Sequence, residues 1–106
     1  MFYLVGSRFF GAHRENSDWD YFGAKTQENR EICERMGLKE LPPRKSGSLH
    51  YWGKYQGRWL DVLLVDDLMH KIYARDALAK LPGVEKLSKV ERYQKIREIL
   101  NAPTAI

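Results

Sequence analysis

Apolar positions fall into short blocks separated by strong turn signals. Phe2 to Val5 are four apolar residues that run into Gly6-Ser7, a buried strand closed by a turn. Residues 8–14 read as a short helical turn, with Phe9 and Phe10 seating it on the sheet. Asp18–Phe22 follows Glu15-Asn16-Ser17 as a second strand. Residues 25–36 read as a helix entered near Thr26 and ended by Gly37; its few apolar positions, Ile32, Cys33 and Met36, place it on the outside of a sheet. Pro42-Pro43 interrupt any helix in the loop 41–48.

Two longer strands come next, Leu49–Tyr55 and Arg58–Val65, joined across Gln56-Gly57 as a hairpin. In the second, Trp59, Asp61, Leu63 and Val65 alternate with Leu60, Val62 and Leu64, so one carboxylate is set into an apolar strand. Residues 67–81 carry a broad apolar helical face comprising Leu68, Met69, Ile72, Tyr73, Ala77, Leu78, Ala79 and Leu81. Ser88-x-x-Glu91 is a capping box that opens a last helix to about Leu100, with Val90, Tyr93, Ile96, Ile99 and Leu100 facing inward, before Ala102-Pro103 stops it. Asp66 and Asp67 sit where a helix N-cap is needed. The pattern predicts an α/β (α+β) domain with a small mixed sheet of about four strands and helices packed on it. Residues 1–106 form a single domain, with a sheet core over 1–66 and helices over 67–106.

Composition narrows the class. Hydrophobic residues make up 43% and charged residues 30%, as in a folded domain rather than a disordered chain. No apolar run approaches the roughly 20 residues that span a bilayer, and the N-terminus lacks the features of a signal peptide. The single cysteine, Cys33, excludes an internal disulfide and fits a cytoplasmic protein, where it reads as an inert buried thiol. The net charge of +4 is uneven: residues 1–67 hold ten Lys/Arg and ten Asp/Glu, whereas 68–106 hold eight and four. A basic C-terminal region suits a polyanionic substrate; a merely solvated helix surface explains it equally well.

Candidate chemistry concentrates near the N-terminus. On an extended segment Asp18 and Asp20 share a face, roughly 6.5–7 Å apart. Two such carboxylates repel one another unless a cation lies between them, and oxygen-only ligands suit a hard ion such as Mg²⁺. Gly6 lets a phosphate approach the main chain, and Ser7 adds a hydroxyl. Arg8 lies next to that turn as a phosphate ligand. The spacing from Gly6 to Gly11 is that of a P-loop, but Ala12-His13 follow where Lys-Ser/Thr is required, so that motif is absent.

This ordered set, Gly6-Ser7, Asp18-x-Asp20 and a later strand carboxylate at Asp61, resembles the nucleotidyltransferase fold of the DNA polymerase β superfamily over residues 2–66. The chain opens on the first strand and leaves no room for a separate acceptor domain. It is therefore similar to minimal, antitoxin-type or phage-encoded members. The resemblance implies that Asp18, Asp20 and Asp61 are catalytic and hold Mg²⁺, or Mn²⁺ in its place. It implies that Gly6, Ser7 and Arg8 bind the nucleoside triphosphate donor. The expected reaction transfers a nucleoside monophosphate to a hydroxyl of a protein or RNA acceptor and releases pyrophosphate. The alternative is a non-catalytic binding module on the same fold, an inhibitor or antitoxin acting by protein contact. An apolar helix face left exposed would suit a homodimer or a protein partner. Other candidates carry plainer readings. Arg14, Lys54 and Arg58 meet either phosphate or solvent, and His13, His50 and His70 have no partner visible in the sequence. Trp52, Trp59 and Tyr21 could stack a base, but in a chain this short such residues more often build the core.

Overall fold

In the computed structural model, which describes residues 1–101, the chain forms a mixed α/β domain. The elements run β1 (Phe2–Val5), α1 (Gly6–Phe10), β2 (Trp19–Ala24), α2 (Gln27–Arg35), β3 (Lys39–Leu41), β4 (Leu49–Tyr55) and β5 (Arg58–Val65). α3 (Leu68–Ala79), a 3-10 turn at Val84–Lys86 and α4 (Lys89–Asn101) complete the chain. The strands form one sheet in the order β1-β2-β5-β4-β3. β2 and β5 pair in parallel at its centre, and the other neighbours are antiparallel. The sheet thus has five strands rather than about four. The additional one, β3, is a three-residue edge strand with no alternation of its own, held by backbone pairing to β4. β2 begins at Trp19, so Asp18 belongs to the loop before it.

The β4–β5 hairpin fixes the register on which the site depends. Gln56 and Gly57 both have positive φ, 50° and 79°, the pair of left-handed residues that a two-residue type I′ turn requires. Tyr55 then pairs with Arg58, and the ladder runs back through Trp52 opposite Asp61 to Leu49 opposite Leu64.

Alternation divides the sheet into two faces. Leu60, Val62 and Leu64 of β5 join Tyr51, Leu38 and Cys33 in a core beneath α2. The Tyr51 ring is fully buried, and its hydroxyl donates to Glu40 of β3 while Arg30 of α2 donates to the hydroxyl and to Glu40. This network ties the edge strand to the helix. Tyr51→Phe keeps the ring but leaves the Arg30–Glu40 pair without its buried partner, so we expect a loss of about 1–2 kcal/mol in urea unfolding. A variant as stable as the wild type would remove the hydroxyl from the account. Burial pushes the Cys33 thiol up to about 11, with the Glu34 charge adding to it, which keeps it in the unreactive form.

The opposite face carries the helices that flank the site. Phe10 packs with Leu78 of α3, Val84 and Ile96 and Ile99 of α4, so it ties α1, which lies against β1 and β2, to the helical layer as well. The inward stripe of α4 is Arg92, Ile96 and Ile99. Val90 and Tyr93, expected to face inward, are 72% and 54% exposed. The reason is Arg92: its aliphatic stem is buried, its guanidinium donates to the Leu87 carbonyl and it lies over Phe10. On α3 the buried residues are Ile72, Ala74 and Leu78, while Met69 and Tyr73 are exposed. The broad face read from the sequence is therefore narrower in the fold.

Both polar helix starts form as expected. Thr26 Oγ1 accepts from the Asn29 amide, and Ser88 and Glu91 exchange reciprocal hydrogen bonds of 2.9 and 3.1 Å. Asp67 occupies the N-cap of α3, but its side chain makes no capping hydrogen bond. The Ala102-Pro103 stop lies outside the described residues. Among those described, no helix is long and apolar enough to cross a membrane.

Candidate active site

β1 ends with Val5 paired to Asp20, and β2 lies parallel to β5 with Asp20 paired to Asp61. In-register residues on adjacent strands share a face, so the Asp20 and Asp61 carboxylates stand side by side on strands about 4.8 Å apart. Asp18 reaches the same place from the loop before β2. All three line one cleft of about 600 Å³, together with Gly6, Ser7 and Ser17. Five of the six residues expected to form the donor site are thereby brought together by three elements and the loop before β2.

The charge on Asp20 is crowded. Its carboxyl is pushed up to about 6, first by burial and then by the Asp61 and Asp18 carboxylates, against a smaller pull from Lys89 and Arg44. A hard cation relieves this kind of repulsion, and the donors are all oxygen, so Asp20 and Asp61 fit such an ion as a pair with Asp18 beside them. Among the described residues, no three His, Cys, Asp or Glu side chains are already gathered at metal-binding distance.

Gly6 is dictated by this crowding. Its φ is 70°, and a Cβ placed there would overlap Asp20 Oδ2 far inside van der Waals contact. The chain passes directly over the carboxylate, and only a residue without a side chain can do so.

Arg8 has another job. Its guanidinium donates to the Ser17 and Glu15 carbonyls and lies 4.2 Å from the Trp19 ring centroid, bracing the loop that delivers Asp18. It does not line the cleft. Arg58 stacks on the same indole. The cations that do line the cleft come mainly from the C-terminal helices: Lys71 and Arg75 of α3, and Lys89, Arg92 and Arg97 of α4, with Arg44 from the proline loop. Arg75 is held by the Leu4 carbonyl and Asp76, and Arg92 by Leu87. Lys71, Lys89, Arg97 and Arg44 are what this leaves to meet a ligand. Their chain positions give them no motif; only tertiary packing, of α3 on β2, of α4 on α3 and of the loop that carries Arg44, assembles them.

His50 is the residue that the sequence reading missed. Its Nε2 lies 2.6 Å from Asp61 Oδ1, diagonally across the β4–β5 ladder. The signal was present in the hairpin: a two-residue turn at Gln56-Gly57 fixes the register and places His50 and Asp61 on one face as a diagonal pair. The histidine occupies one oxygen of Asp61 and leaves the other for the cleft. No protein-family model, curated protein or solved structure matches this chain.

Proposed function

We propose that the cleft binds a nucleoside triphosphate with a divalent cation and transfers its nucleoside monophosphate to an acceptor hydroxyl on a protein or RNA. The observation that carries this reading is the in-register pair Asp20–Asp61, with Asp18 and Gly6-Ser7 around it and a ring of cations above. Acids and bases segregated across one cleft suit a ligand that brings its own metal and several phosphates.

Asp18, Asp20 and Asp61 would hold Mg²⁺, which supplies charge neutralisation at the phosphoryl oxygens. Lys71, Lys89, Arg97 and Arg44 meet the remaining phosphate charge. The open main chain at Gly6 and the Ser7 hydroxyl offer donors without steric obstruction. In the transfer itself the acceptor oxygen bonds to the α-phosphorus as the α–β bridging bond breaks, and pyrophosphate leaves. The acceptor proton goes to the Asp61 carboxylate. His50 fixes the orientation of that carboxylate. Positioning and charge neutralisation supply most of the rate.

The direct test is calorimetric titration of each ribonucleoside triphosphate, with Mg²⁺ and with EDTA. We expect binding that requires the metal. A folded protein that binds none of them would overturn the donor site and leave the non-catalytic contact module. His50→Ala should lower metal-dependent affinity or transfer about 10- to 100-fold, as loss of a partner behind a ligating carboxylate does elsewhere. Unchanged affinity and transfer in that variant would assign the histidine a purely structural place.

A further inference from the structure

The face of the β4–β5 hairpin that bears Asp61 also bears two large aromatic residues that are not in the core. Tyr51 and Leu60 point into the layer beneath α2, so their neighbours Trp52 and Trp59 point the other way, on the side of His50 and Asp61. The two indoles stack on each other, with centroids 4.6 Å apart and planes 15° from parallel. Trp59 is 44% exposed. Lys54 and residues 56–59 are exposed as well, so this end of the hairpin is open to solvent.

From this we infer that the Trp52–Trp59 pair is a stacking platform for the bases of a single-stranded nucleic acid. The inference rests on three features of that surface. The stacked indole pair, with Trp59 largely exposed, offers aromatic surface to a planar ligand, and base–aromatic stacking contributes about 1–3 kcal/mol per base. Lys54 is the exposed cross-strand partner of Trp59, on the same face, and can meet a phosphate beside the stacked base. Trp52 lies directly opposite Asp61, a residue of the cleft that Lys71, Lys89, Arg97 and Arg44 also line. The strand is single because bases within a duplex are already stacked and cannot lie on the indole. That this strand is the acceptor of nucleotidyl transfer rests on the function proposed above; its binding to the platform does not.

The test uses fluorescence anisotropy with a labelled oligouridylate and a labelled RNA duplex, in EDTA at low salt. Wild type, Trp59→Ala, Trp59→Phe, Lys54→Ala and Asp20→Asn are compared. The oligouridylate should bind wild type without any metal. Trp59→Ala should weaken it about 10-fold, within the range that stacking supplies, and Trp59→Phe should recover most of that loss. Lys54→Ala should reduce the salt dependence by about one phosphate contact. Trp59 is exposed at the hairpin end, and circular dichroism of both variants checks that the sheet is intact. Equal binding by wild type and Trp59→Ala would overturn the proposal. So would a duplex that binds as tightly as the single strand, or a platform whose loss weakens only Mg²⁺-dependent triphosphate binding, which would assign it to the donor base. Self-association of the wild type that Trp59→Ala abolishes would assign it to a second copy of the chain. Triphosphate binding that ignores Asp20→Asn overturns the transfer reading alone and leaves the platform standing.

Discussion

Asp20→Asn should abolish metal-dependent nucleotide binding while making the protein more stable at neutral pH. The two effects have one cause. In the folded protein the Asp20 carboxyl titrates at about 6 instead of 3.8, because it is partly buried and faces Asp61 and Asp18. Its raised value means that the folded state binds the proton more tightly than the unfolded chain does. Below about 3.8 both states are protonated and the penalty is absent. Above about 6 both are ionised and the fold carries the full cost. Across that window the wild type therefore loses stability from this group as pH rises. The span corresponds to about 3 kcal/mol, and solvent entering the cleft should screen it to about 1 kcal/mol.

Asparagine has nearly the same shape and no charge, so it removes the cost at pH 7.5 and changes little near pH 4. Thermal or urea unfolding of both proteins at these two pH values measures the difference. Mg²⁺ should raise the melting temperature of the wild type and leave that of the Asp20→Asn variant unmoved. A variant that is less stable than wild type at pH 7.5 would contradict the electrostatic account. A variant that retains metal-dependent triphosphate binding would contradict the assignment of Asp20.

Gly6→Ala should be the most damaging single methyl addition in the N-terminal half. The residue has φ of 70°, a conformation that costs an L-residue about 1–2 kcal/mol. Its new Cβ would also collide with Asp20 Oδ2 and displace either the β1–α1 junction or the carboxylate. Overpacking of this kind adds about 1–3 kcal/mol. The sum is a sizeable share of the 5–15 kcal/mol that holds a domain of this size together.

The two contributions can be separated. In an Asp20→Ala background the offending oxygen is gone and only the close approach to the Cβ at position 20 remains, so Gly6→Ala should cost little beyond its backbone part. A double-mutant cycle on unfolding free energies should then show coupling of about 1 kcal/mol or more between positions 6 and 20. Additive penalties would mean that the carboxylate does not sit against Gly6.

The contrast between these residues shows where the chain speaks for itself. Local order is legible. Four apolar residues before Gly6 make β1, Gln56-Gly57 make the hairpin, and Thr26 and Ser88–Glu91 start their helices with the caps their side chains supply. Each of these depends on neighbours within a few positions, and the physical chemistry of those neighbours is enough. The fold class follows from the same local signals, whereas Asp61 is grouped with Asp18 and Asp20 only through the resemblance.

Other features belong only to the assembled molecule. β3 exists because β4 offers it an edge, not because Lys39–Leu41 favours a strand. Val90 and Tyr93 turn outward because the buried stem of Arg92 sets the rotation of α4. Arg8 turns away from the cleft because the Ser17 and Glu15 carbonyls are within its reach once the loop has closed. The in-register placement of Asp20 and Asp61 requires the parallel pairing of strands some forty residues apart, and most of the cations around them are brought there by α3 packing on β2 and α4 packing on α3. The order of residue types along the chain dictates which elements form and where the charges are carried. Which charges meet is settled only in three dimensions, because strand order and helix rotation are set by the burial of whole faces rather than by any single neighbour.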